Sequence, residues 1–159
     1  MTERGHDAVA SEPVDAGESG APAVYALEDQ IGFRLRKAHQ RATEDFNAVM
    51  GRFDVTPTQF AALAKLHDAG PLPQAQLGRL TAMDPATIFG VVKRLARRGY
   101  VRQSLDDADA RLVIVGLTPE GRAAAARMTA VAAEVSARTL APLARKEAVA
   151  LLRLLGKLG

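Results

Sequence analysis

Residues 84–117 read DPATIFGVVKRLARRGYVRQSLDDADARLVIVGL, and this stretch constrains the fold more tightly than any other. Asp84 is placed to cap a helix, because its carboxylate accepts the free N–H groups of a first turn. Pro85 suits the first helical position, where a missing N–H costs nothing. Ile88, Val91, Val92 and Leu95 recur at helical spacing and form one apolar face. Lys93, Arg94, Arg97 and Arg98 crowd the last turns, where cations favour the helix dipole. Gly99 then stops the helix, since it enters the left-handed conformation freely. Tyr100-Val101 opens a strand and Leu112-Val113-Ile114-Val115 returns. The polar segment between them, Ser104–Arg111, is too long for a tight turn. A basic helix joined to a hairpin with an arginine near its tip suits a DNA duplex, the helix in the major groove and the arginine in the minor groove. The competing reading is an ordinary α+β segment with a solvated basic face.

The preceding residues favour DNA. Thr56 and Pro57 cap and open a helix whose apolar face is Phe60, Leu63 and Leu66, and Ala69-Gly70-Pro71 ends it. Gln74–Thr81 reads as a short helix, and Thr81-Ala82-Met83 is a tight connection to the helix at Asp84. The pair forms a helix-turn-helix, and the hairpin at 100–117 makes it winged.

The flanks are helical. From Ala26 to Met50 the residues Leu27, Ile31, Leu35, Ala38, Ala42, Phe46 and Val49 form a heptad-like stripe, predicting one long helix. Phe33 falls off that stripe, so the helix is expected to touch something on a second side. Thr118-Pro119-Glu120 opens an Ala-rich helix to about Leu140, and Pro142 begins a last one bearing Leu143, Val149, Leu152 and Leu155. These flanks, 26–51 and 119–158, lie outside the winged unit at 56–117 and need a partner surface, which a homodimer supplies. The fold class expected is mainly α with a small β-hairpin wing, a single domain over 25–159.

Charge supports a polyanion partner. The chain carries +3 overall, but residues 1–24 hold five acids against one arginine, a net of −4, leaving +7 on the rest. That acidic segment, rich in Gly, Pro, Ala and Ser, reads as a disordered tail. With no cysteine, disulfides, thiolate metal sites and a thiol redox switch are excluded. No apolar run reaches the about 18 residues of a membrane span, and no signal peptide is apparent, so a cytoplasmic protein with no membrane partner is expected. His39 and His67 stand in no ligand-spaced cluster, so no metal and no cofactor are expected. No glycine-rich phosphate loop, Gly-x-Ser-x-Gly or His-Glu-x-x-His appears, which argues against an enzyme. The alternative function is a dimerisation module with only non-specific DNA affinity.

Two stretches resemble the MarR family of bacterial transcription regulators. Asp84–Ile88 through Lys93–Val101 is similar to the family's recognition helix and its run into the wing. Asp109-Ala110-Arg111-Leu112-Val113-Ile114-Val115-Gly116-Leu117-Thr118 fits the family's wing pattern Asp-x-Arg-x-x-x-Val-x-Leu-Thr, and the likeness extends over about residues 26–158. It implies a homodimeric winged helix-turn-helix repressor on a pseudo-palindromic operator, released by a small anionic or aromatic molecule bound between the dimerisation helices and the DNA-binding lobe. Two recognition helices would enter major grooves about 34 Å apart, so the operator should be an inverted repeat.

Residue by residue, Ala86, Thr87, Phe89 and Lys93 are expected to face the bases, with Thr87 and Lys93 supplying hydrogen bonds. Arg94 and Arg97 are expected at phosphates, and Gln74 and Gln76 near another. Arg111 is the expected minor-groove contact, with Asp109 orienting its guanidinium. Phe89-Gly90 departs from the Thr-Arg pair frequent in the family, so the operator sequence cannot be borrowed. For the effector, an aromatic acid or its coenzyme A thioester, Arg34, Arg36, His39 and Arg41 are the candidates. Ion pairing within the protein is the competing account of that cluster.

Overall fold

The computed structural model describes residues 25–158; the acidic segment 1–24 and Gly159 lie outside the described residues. Helix α1 (Ile31–Met50) leads into α2 (Pro57–Ala69), strand β1 (Leu72–Pro73), α3 (Gln74–Leu80), α4 (Pro85–Arg97), β2 (Val101–Leu105), β3 (Val113–Leu117), α5 (Pro119–Leu140) and α6 (Arg145–Leu155). The three strands form an antiparallel sheet in the order β1-β3-β2, with Val101 opposite Leu117 and Leu105 opposite Val113. The hairpin is therefore joined by a third strand that the sequence reading missed. Leu72-Pro73 is two residues long and sits next to a Gly-Pro stop, so it carries no alternation to detect.

One core holds the lobe together. Met50, Leu63, Leu66, Leu77, Ile88, Val91, Leu95, Val115, Ala125 and Met128 are essentially removed from water. The end of α1, helices α2 to α4, the sheet and the first half of α5 thus bury one shared apolar interior. Local signals agree with it. Thr56 accepts from the Gln59 amide at 3.2 Å while the Gln59 side chain accepts from the Thr56 amide, a reciprocal cap on α2. Asp84 accepts from the Thr87 amide at 2.9 Å. Gly99 ends α4 at φ 71°, as its position predicts.

Two helix boundaries differ from expectation. The helix predicted from Ala26 is interrupted: Leu27–Asp29 is a single 3-10 turn, and Gln30 is extended before α1 begins at Ile31. Nothing in that first turn is buried, so no packing holds it in register with α1. The last helix starts at Arg145 rather than Pro142, because the Glu147 carboxylate reaches back to accept the Ala144 amide at 2.7 Å.

The predicted α1 stripe divides in two. Phe46 and Val49 enter the core, whereas Leu27, Ile31 and Leu35 remain exposed. Helix α6 has no buried residue, and Val149, Leu152, Leu154 and Leu155 are exposed along it. Phe33 meets its own helix: the Arg36 guanidinium lies 5.7 Å and the Lys37 ammonium 5.8 Å from its ring centre.

Candidate nucleic-acid interface

Helix α4 buries Ile88, Val91, Val92 and Leu95, so the 3.6-residue period turns Ala86, Phe89, Lys93 and Arg97 outward in one row. Phe89 is 57% exposed, so its ring is outside the core of the lobe. Arg94 lies against Gly90. A side chain at 90 would begin 3.4 Å from Arg94 Nη1 and 3.6 Å from Nη2, so the guanidinium of Arg94 lies folded back over the glycine. Among the described residues, none of Lys93, Arg94 and Arg97 has a carboxylate within 4.0 Å.

Thr87 is partly spent on the cap. Its hydroxyl donates to the second oxygen of Asp84 at 2.5 Å, leaving the methyl and the two oxygen lone pairs for a base. This bond, and then the Thr87 amide, hold the Asp84 carboxyl below its usual range. Gln74 stands at the first position of α3, half-buried, and its side-chain oxygen accepts from Gln103 of β2 at 3.2 Å. Gln76 is half-buried two residues along the same helix. Gln103 and the exposed Arg79 were not singled out from the sequence. Strand alternation from Val101 would have put Gln103 on the side of the sheet that faces α3.

The wing tip is ordered by its own hydrogen bonds. Asp106 accepts from the amides of Ala108 and Asp109 at 2.9 and 3.0 Å, and the Leu112 amide donates to the Asp109 carbonyl at 2.8 Å. Arg111 projects from that tip with its side chain 90% exposed. It meets Asp109 through two parallel bonds, Nε to Oδ1 at 3.0 Å and Nη2 to Oδ2 at 3.2 Å. The expected pair is therefore formed within the wing itself. The Arg111 guanidinium, and then its backbone amide, hold the Asp109 carboxyl below the ordinary carboxylate value.

Arg98 plays a different part from its neighbours. It turns away from the outward row, donates to the Phe53 carbonyl at 3.1 Å and to the Asp54 carbonyl, and stacks 4.9 Å from the Tyr100 ring centre. The end of α4 is thus tied to the turn between α1 and α2. Charge pattern alone could not separate it from Arg97, because both are consecutive arginines at one helix end.

The four effector candidates do not form one cluster. Arg34 pairs with Asp29 at 3.6 Å, and Arg36 stacks on Phe33. Arg41 and Arg138 share the largely buried Asp45, at 3.8 and 3.5 Å, and Thr139 donates to the same carboxylate at 3.1 Å. Asp45 therefore locks α1 to α5, and the ion-pair account of Arg41 matches the geometry. His39 alone of the four lines an apolar groove, about 390 Å³, walled by Leu35, Ala42, Val135, Leu140, Leu151 and Leu155. Among the described residues, no three His, Asp or Glu side chains gather as a metal site, and no helix is long and apolar enough to cross a membrane.

Comparison with known proteins gives the same picture. Residues 55–113 match the model of the MarR family. The chain is 42% identical over 134 residues to the HTH-type transcriptional repressor NicR of Pseudomonas putida, covering 84% of this chain and 85% of that one. A probable transcriptional regulator from Pseudomonas aeruginosa, solved by crystallography, is 49% identical, with a TM-score of 0.79 over 84% of this chain and 100% of the other. Bordetella bronchiseptica BpsR, whose DNA binding is regulated by 6-hydroxynicotinic acid, is 36% identical with a TM-score of 0.80, covering 84% of this chain and 96% of its own.

Proposed function

The chain belongs to the MarR family of transcriptional repressors, and on that premise we propose that it works as a homodimer on an inverted-repeat operator and is released by a small aromatic acid. The observation that carries the DNA reading is the outward row of α4, Phe89, Lys93 and Arg97, with its cations unpaired among the described residues and Arg111 held out at the wing tip. Phosphates would take Arg94 and Arg97, Lys93 and Thr87 would meet base edges, and the pre-oriented Arg111 would enter the narrow minor groove, where negative potential is greatest. Gln74 and Gln76 would approach the backbone from α3.

The dimer reading rests on the bare halves of α1 and α6. Ile31, Leu35, Val149, Leu152 and Leu155 form apolar surface that no described residue of one chain covers, and a two-fold partner would bury like against like. The effector reading rests on the groove beside His39. Its apolar walls suit a single ring, and His39 supplies a cationic or N–H group for a carboxylate. BpsR directs the choice of class toward hydroxylated pyridine or benzene carboxylates. A ligand wedged between α1, α5 and α6 would alter the spacing of the two lobes; coupling of about 1–3 kcal/mol suffices for regulation.

The test is fluorescence anisotropy on DNA flanking the gene against scrambled DNA at physiological salt. Specific binding to one inverted repeat, weakened by 6-hydroxynicotinic acid in the native protein and insensitive to it in His39→Ala, is the expected result. Equal affinity for both DNAs would favour the non-specific dimerisation module instead. Stabilisation by the acid with no change in operator affinity would remove the effector mechanism.

A further inference from the structure

A second cleft, about 690 Å³, lies at the seam of α2, the wing sheet and α5. Its polar lining is His67 from the last turn of α2, Arg102 from β2, and Thr118 and Arg122 at the start of α5; Leu117 and Pro119 give it apolar walls. No acid lines it. Among the described residues, neither Arg102 nor Arg122 has a carboxylate within 4.0 Å. His67 Nδ1 is buried and has no hydrogen-bond partner. Buried polar atoms are nearly always paired, so a bare one marks a place where a partner belongs.

The surrounding sequence keeps the cleft open. Alternation along β2 sends Arg102 to the face opposite Gln103, away from α3 and the DNA row. Across from it stands Gly116, where an ideal Cβ would lie in ordinary contact range of Arg102 Nε, at 4.0 Å. The cleft shares no residue with the groove at His39. Nine residues of α5, about 14 Å of helix, separate Ala126 from Val135.

We infer that this cleft binds a small organic carboxylate, with the carboxylate between Arg102 and Arg122, a ring N–H of His67 donating to it, and the apolar body on Leu117 and Pro119. Two guanidiniums and an imidazole with no acidic neighbour form a donor set that an anion completes. The ligand would bridge α2, β2 and α5. Thr118, at the rim, caps α5 through the Gly121 amide and donates to the Gly99 carbonyl at 2.6 Å. The site therefore sits where the recognition helix hands over to the dimerisation helix, and it provides an anion-sensing input separate from the effector groove.

The chain has three histidines, so the ring signals of His67 and His39 are separately readable by two-dimensional NMR of the full-length protein. Sodium benzoate, at constant ionic strength set with sodium chloride, should shift the His67 ring signals saturably. In Arg102→Gln/Arg122→Gln the apparent affinity should fall at least about tenfold, while any His39 response is retained. Both arginines are exposed, and an unchanged melting temperature verifies the fold. Inorganic phosphate acting as well as benzoate would support an anion site that reads the head group alone. No saturable His67 shift, or a shift unchanged in the double variant, or one reproduced by chloride, would overturn the inference. A silent His39 with a responsive His67 would count against the effector groove and leave this site standing.

Discussion

Arg98 reaches back across 45 residues to donate to the carbonyl of Phe53 at 3.1 Å. The same guanidinium serves the Asp54 carbonyl and lies 3.8 Å from the Asp54 carboxylate. Asp54 is in the left-handed region at φ 52°, and its carbonyl and that of Phe53 lie at a turn where no helix satisfies them. A basic residue at the end of α4 is therefore a staple within the lobe.

Arg98→Ala should cost about 1–3 kcal/mol of stability, because it strips a charged donor from two carbonyls. Arg97→Ala, one position earlier and exposed, should leave stability within about 0.5 kcal/mol while weakening DNA binding. Urea denaturation of both variants decides the matter. Equal losses from the two would show that Arg98 has no special role in the fold.

Gly121 is the most crowded glycine among the described residues. A Cβ there would stand 1.8 Å from the Tyr100 carbonyl oxygen, and that oxygen already accepts from the Thr118 amide at 3.0 Å. Gly121→Ala must push α5 away from the start of β2, so we expect a loss of about 2–4 kcal/mol despite the better helix propensity of alanine. A variant with an unchanged melting midpoint would mean that α5 and the wing do not meet as described.

The Asp109–Arg111 pair should be insensitive to pH across the neutral range. Its carboxyl is held below the ordinary value by the guanidinium, so the folded value lies beneath the unfolded one, about 3.9. The ordering contributed by the pair is thus present above that pH and disappears as pH falls through the lower, folded value. The Arg111 Nε signal should stay constant from about pH 8 to 5 and move only in stronger acid. At pH 7, Arg111→Ala should weaken operator binding about ten- to a hundredfold, and Asp109→Asn less. An Arg111 signal that titrates near pH 6 would rule out this carboxylate as its anchor.

Leu152 tests the proposed dimer. It is 59% exposed on α6, so Leu152→Glu leaves the core of one chain intact. Sedimentation should show a folded monomer, with operator affinity reduced at least about a hundredfold because the second recognition helix is no longer delivered with the first. A variant that stays dimeric would move the interface away from this face.

Much of the DNA-binding lobe was legible from local chemistry. Asp84-Pro85 and Thr56-Pro57 announce helix starts, and Gly99 announces a stop, through backbone groups within a few residues. The buried set Ile88, Val91, Val92 and Leu95 follows from period alone. The Asp109–Arg111 pair was readable because two residues in a turn find each other without help from the rest of the fold. What depended on distant chain was not legible. The sequence presents Arg94, Arg97 and Arg98 as equivalent cations, and only packing against the α1–α2 turn makes Arg98 a staple. It likewise presents Arg34, Arg36, His39 and Arg41 as one cluster. Asp29, Phe33 and the Asp45 carboxylate draw three of them aside, leaving His39 at the groove. Local hydrogen bonding and periodicity are properties of the chain by itself, whereas a charge finds its partner only when folding brings residues far apart in sequence within a few ångströms.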